Sequence, residues 1–224
     1  MSSPRFTLAV LALVLVFAPP GLAQDKDKIC RDVQHRPMTV GQWASYTWTG
    51  GRSDGGTMRF AIVGTEAQHG TTYYWYEMTS NDPKRGAKGK TIMQMLVPGL
   101  AYQAGGLRGM IMKSGDDPAT RMPDQMIRMM GSRMASNITA EITRTCLEME
   151  VVGWENVTVP AGTFRALHIR NPREHTEAWV RPELYFGMVK VVMKDGSVLA
   201  LAAHGGGAKS SITETPRDMM GPGR

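Results

Sequence analysis

The chain has 224 residues, 42% of them hydrophobic and 21% charged, enough for the core of one or two domains and too apolar for a disordered polymer. Its 25 Gly, 13 Pro and 18 Met point to a loop-punctuated, mainly β protein rather than a helical bundle or coiled coil. The net charge of +6 comes without the Lys/Arg stripe interleaved with aromatics that phosphate neutralisation needs, which argues against nucleic-acid binding.

Ser2 to Arg5 form a short positive n-region, and Phe6 to Ala18 an apolar run too short to span a bilayer. Pro19, Pro20 and Gly21 break any helix before Gly21-Leu22-Ala23, whose small residues suit signal-peptidase cleavage after Ala23. Residues 1–23 read as a cleaved signal peptide, with an uncleaved anchor as the alternative. The mature chain is then expected to be periplasmic or secreted, with no transmembrane segment. Residues 24–40 read as an N-terminal arm carrying Cys30, and the other cysteine is Cys146. In an oxidising compartment a Cys30–Cys146 disulfide is the expectation. Acylation of Cys30 is disfavoured, because Asp27-Lys28-Ile29 lacks the small residues such processing requires.

Residues 41–212 read as one β domain. Trp43 to Thr49, Thr57 to Thr65 and Thr71 to Thr79 are β-branched and aromatic runs separated by Gly-rich turns, the pattern of a meander. Phe60 shares a face with Met58 and Ile62. In the third run Tyr74 and Tyr76 oppose Tyr73 and Trp75, so both faces call for cover. Lys90 to Val97 returns with Met93 and Met95 on one face.

Residues 99–136 are Gly- and Met-rich, and residues 122–135 form the helical window, a helical insertion of about 120–136. At 100° per residue Met122, Met126, Met129, Met130 and Met134 share a stripe, with Pro123 and Asp124 suited to the first turn. From Ala140 the strand pattern resumes. Trp154 to Val159 and Thr163 to Arg170 flank a Pro160-Ala161-Gly162 turn. Thr176 to Arg181 and Gly187 to Lys194 follow, and Asp195-Gly196 turns into Ser197 to His204. The total is nine or ten strands in two meanders, and residues 213–224 read as a disordered tail.

The stretch Glu155 to Phe164 contains Val159-Pro160-Ala161-Gly162-Thr163-Phe164, and it is followed by Trp179 and by Gly187-Met188-Val189-Lys190. It resembles a recurring pattern in exported bacterial β proteins of unknown function, similar to the lipoprotein-carrier (LolA/LppX-like) half-barrel superfamily. The resemblance implies a curved antiparallel half-barrel around an apolar cavity and, by analogy, apolar-ligand binding. The expected ligand-binding residues are Phe60, Tyr74, Tyr76, Met93, Met95, Met126, Met130 and Met134, the helix serving as a lid over the sheet. Unbranched thioethers repack around ligands of varied shape, although a Met stripe equally suits plain core.

Other chemistries find little support. No Gly-x-Ser-x-Gly elbow is present, so no catalytic residue, cofactor or metal is assigned and the protein is expected not to be an enzyme. Copper on the methionines is opposed by Arg128 and Arg133. Zinc at His168, His175, Glu174 and Glu177 lacks an established ligand spacing. The expected function is non-catalytic binding of a lipid, acyl chain or other amphipathic ligand. The alternative is a structural or protein-interaction module of the envelope, partnered by another envelope protein, and a metal-binding protein is the third reading.

Overall fold

In a computed structural model the described residues are 28, 36–99, 106–129 and 148–219. The expected signal peptide, the Cys30–Cys146 pair, Met130 and Met134 lie outside them.

Twelve strands form one sheet: β1 (Trp43–Thr49), β2 (Thr57–Gln68), β3 (Thr71–Asn81), β4 (Lys90–Val97), β5 (Gly109–Ser114), β6 (Thr120–Arg121), β7 (Glu150–Val159), β8 (Gly162–Asn171), β9 (Thr176–Val180), β10 (Met188–Val192), β11 (Val198–Gly205) and β12 (Arg217–Asp218). The order is β12-β6-β5-β4-β3-β2-β1-β11-β10-β9-β8-β7. Two meanders are joined where β1 pairs antiparallel with β11, and β12 alone pairs in parallel, with β6. Within each meander, β1 to β6 and β7 to β11, neighbours in sequence pair, several of them through short turns such as 69–70 and 160–161, as the alternation of apolar runs and Gly-rich breaks requires. Gly196, with φ of +78°, takes the left-handed position in the turn into β11. At Gly109 a Cβ would stand 2.9 Å from the Trp75 ring, so only glycine lets β5 pass beneath it.

The sheet is curved and open. The turn between β7 and β8 bends back until the Ala161 N–H donates to the Leu201 carbonyl of β11 at 3.0 Å, although β9 and β10 intervene in the sheet. That is the predicted mainly β, curved half-barrel form.

Register assigns the faces of the first meander. Ile62, Tyr76, Met95 and Met110 face one another across β2 to β5 on the concave side, and Ala61, Glu77, Gln94 and Ile111 do so on the convex side. The concave core holds Met38, Ile62, Met95, Val97, Leu107, Met110, Met122 and Ile127, continuous through Phe60 and Phe186 with a second cluster around Tyr46, Val157, Val189 and Leu201. The convex side has its own core of Ile92, Ile111, Ala119 and Ile212 against Trp75. Both faces of β3 are therefore covered, as its aromatic alternation requires.

Several expectations are corrected. Residues 120–121 are strand rather than helix, and among the described residues the helical turn is 124–129. Met122 and Met126 pack inward with Ile127, whereas Met129 is 62% exposed, so the stripe is centred on Met126 and Ile127. Strands β5, β6 and β12 fall outside the predicted runs and raise the count from nine or ten to twelve. The segment expected to open the disordered tail lies on the convex face instead. Next to Ile212, the buried last residue of the expected domain, Glu214 accepts from the Ala119 N–H and the Arg217 N–H donates to the Ala119 carbonyl at 2.8 Å. The signal for β12 is two polar residues long, too short for any periodicity to register.

Candidate functional site

The predicted ligand residues that are described come together. Tyr74, Tyr76, Met93, Met95 and Met126 belong to one concave cluster, and Phe60 stacks on Tyr76 with ring centroids 6.1 Å apart. They are, however, packed against the protein itself. Phe186, from the loop between β9 and β10, sets its ring 5.9 Å from Phe60, 6.3 Å from Tyr76 and 5.0 Å from Tyr185. The concave face is thus covered by the 181–187 loop as well as by the helical turn, which corrects the expectation that the helix alone could do so.

A cavity of about 430 Å³ opens beside this cluster, between β1, β11 and the 182–188 stretch. Tyr46, Leu184, Phe186 and Leu201 give it an apolar wall, and Gln42 and His204 give it polar groups. None of the predicted ligand residues among the described ones lines it. Alternation along β1 brings Tyr46 inward, and its hydroxyl donates to the Met188 carbonyl at 3.2 Å. Burial pushes the Tyr46 phenol well above its ordinary pKa.

The mouth is strapped. The Arg36 guanidinium donates to the carbonyls of Pro182, Leu184 and Tyr185. The Tyr185 hydroxyl accepts from the Thr39 N–H at 2.7 Å and donates to the Pro37 carbonyl at 3.2 Å. Burial raises the Tyr185 pKa, opposed by the Thr39 hydrogen bonds and the Arg36 charge. Arg36 thereby satisfies three loop carbonyls that would otherwise compete for water, and it fixes the loop that carries Phe186. The signal for this site lay in Leu184-Tyr185-Phe186, an apolar and aromatic triplet bracketed by Pro182 and Gly187 where a short polar turn is the norm.

The histidines weighed for zinc are separated. His175 occupies a turn with φ of +50°. His168 lies between two carboxylates, Nδ1 3.3 Å from Glu155 and Nε2 3.2 Å from Glu177, and stacks on Trp179 at 4.3 Å. Its two nitrogens face different acids, so no single ion could engage both through this ring. Among the described residues no group of three or more His, Cys, Asp or Glu is arranged to hold a metal, and no helix is long and apolar enough to cross a membrane.

No protein-family model and no curated protein matches the chain. Among solved structures it is similar to a candidate lipoprotein from Parabacteroides distasonis and to a candidate exported protein with a YmcC-like fold from Bacteroides fragilis. Each shows 13% identity and a TM-score of 0.34 over 75% of this chain and 97% of the other. At that score the likeness carries no argument on function.

Proposed function

We propose that this is an exported, non-catalytic protein that binds an amphipathic ligand such as an acyl chain or lipid in the cell envelope. One observation carries the reading: the cavity of about 430 Å³, which sets an apolar wall of Tyr46, Leu184, Phe186 and Leu201 against polar and charged groups at Arg36, Gln42, Glu183 and His204. A cavity of this size falls in the range of roughly 300 to 1,000 Å³ usual for small-ligand sites, and its mixed lining suits an amphipathic ligand. The signal-like pattern of residues 1–23 supports export with cleavage after Ala23, and the half-barrel form agrees with the lipoprotein-carrier resemblance by analogy alone. The β1–β11 cavity, rather than the methionine face, is the proposed ligand site, because the methionine face is packed with the protein's own rings.

That same packing favours a second reading, a structural or interaction module of the envelope. Titration with a fluorescent fatty-acid probe separates the two. The wild type should bind the probe, and Ala44→Leu, which adds bulk at the cavity wall, should abolish binding while keeping the native circular dichroism spectrum. A wild type that binds no apolar probe leaves the interaction module in its place.

A further inference from the structure

The loop that closes the main cavity has a second side. Arg181 and Glu183 line a second hollow of about 270 Å³ together with Trp154 of β7 and Arg165 of β8, and Glu183 is shared with the main cavity. Arg181 Nε donates to Glu183 Oε2 at 3.1 Å, and its guanidinium carbon lies 5.9 Å from the centre of the Phe164 ring. This leaves the terminal nitrogens of Arg181 as donors not used by Glu183. Arg165 has no carboxylate partner among the described residues. Two guanidiniums and one carboxylate therefore share this hollow, and the residual positive charge favours an anion over a neutral or cationic occupant.

We propose that this hollow binds a phosphate-bearing headgroup, with the phosphate between Arg165 and Arg181 and the attached ring or polyol against the Trp154 indole. Planar guanidinium forks match the oxygens of a phosphate two at a time, which a lysine pair would not do. The hollow is larger than a bare phosphate, and the part of Trp154 that lines it adds apolar surface for the carbon-rich side of a sugar or glycerol. Glu183 competes with the anion for Arg181 and weakens binding while it stays paired. Glu183 also lines the main cavity, whereas Trp154, Arg165 and Arg181 do not, so the phosphate position itself lies outside that cavity.

Glucose 1-phosphate and inorganic phosphate are titrated calorimetrically at low salt. Flotation with phosphatidylglycerol vesicles, against phosphatidylcholine vesicles, tests the same chemistry on a lipid. Arg165→Gln should weaken binding by about tenfold, Glu183→Gln should tighten it, and Ala44→Leu should leave it unchanged. Arg85→Gln, which removes the same charge from the connection between β3 and β4, should have little effect. Heat in the calorimeter identifies a soluble sugar phosphate, and flotation without it a lipid headgroup. Failure of both arms, or an equal loss in Arg165→Gln and Arg85→Gln, overturns the proposal.

Discussion

Glu77 has no exposed surface, yet it is well supplied with donors: Gln94 Nε2 at 2.8 Å, the Ser211 N–H at 2.9 Å, the Ser211 hydroxyl at 2.7 Å and Arg59 at 3.4 Å. This carboxylate ties the C-terminal segment to the convex face. Glu77→Ala strands those donors and should cost about 2 to 3 kcal/mol in urea denaturation, with new proteolysis between residues 206 and 219. Three residues beyond Ser211, Glu214 accepts from Lys113 and from the Ala119 N–H. The Lys113 hydrogen bond, aided by backbone hydrogen bonds, lowers the Glu214 pKa from 4.5 to about 2. Because the folded value is depressed, this contribution is complete above pH 4.5 and is lost as pH falls through about 2. Hydrogen exchange at Arg217 and Asp218 should accelerate across that window, and the acid dependence should flatten in Lys113→Met.

At the scale of elements, the strap of residues 36–39 and the 181–187 loop hold one another over the cavity. Arg36→Ala removes the guanidinium that satisfies three carbonyls of the loop. It should raise hydrogen exchange across residues 183–187 and speed uptake of a fatty-acid probe in stopped flow, leaving the exchange of β2 and β3 unchanged. Equal acceleration throughout the sheet would mean that the strap is part of the global fold rather than a local closure. The Asp195-Gly196 turn is a contrasting case. The Ser197 hydroxyl and N–H donate to the Asp195 carboxylate at 2.6 and 3.0 Å and lower its pKa, so this element is specified locally.

For the whole molecule, the two concave clusters meet at Phe186, whose ring touches Phe60, Tyr76 and Tyr185. Each such aromatic pair adds roughly 0.5 to 1.5 kcal/mol beyond its buried area. Phe186→Ala should cost about 3 kcal/mol in equilibrium unfolding and open space against Tyr74, Tyr76 and Met95. If the variant then binds an apolar probe that Ala44→Leu in the same chain does not block, the methionine face is a second potential site. A loss of stability without new binding keeps that face as core alone.

Short-range order was legible in the sequence wherever a local signal exists. The runs Trp43–Thr49 and Lys90–Val97, the Pro160-Ala161-Gly162 and Asp195-Gly196 turns, and the shared face of Phe60, Tyr76, Met93 and Met95 follow from period-two alternation and turn chemistry, which act between near neighbours. The pairing of β1 with β11 joins residues about 150 or more positions apart in sequence, from Thr49 with Val198 to Trp43 with Gly205, and no local pattern encodes which meander edges meet. The short strands β6 and β12 take their conformation from the sheet edge they join. The same holds for the candidate site. The sequence marked the methionines because their spacing is periodic, whereas the cavity is built by Arg36, Tyr46, Tyr185, Phe186 and His204, which only the curvature of the sheet brings within reach of one another.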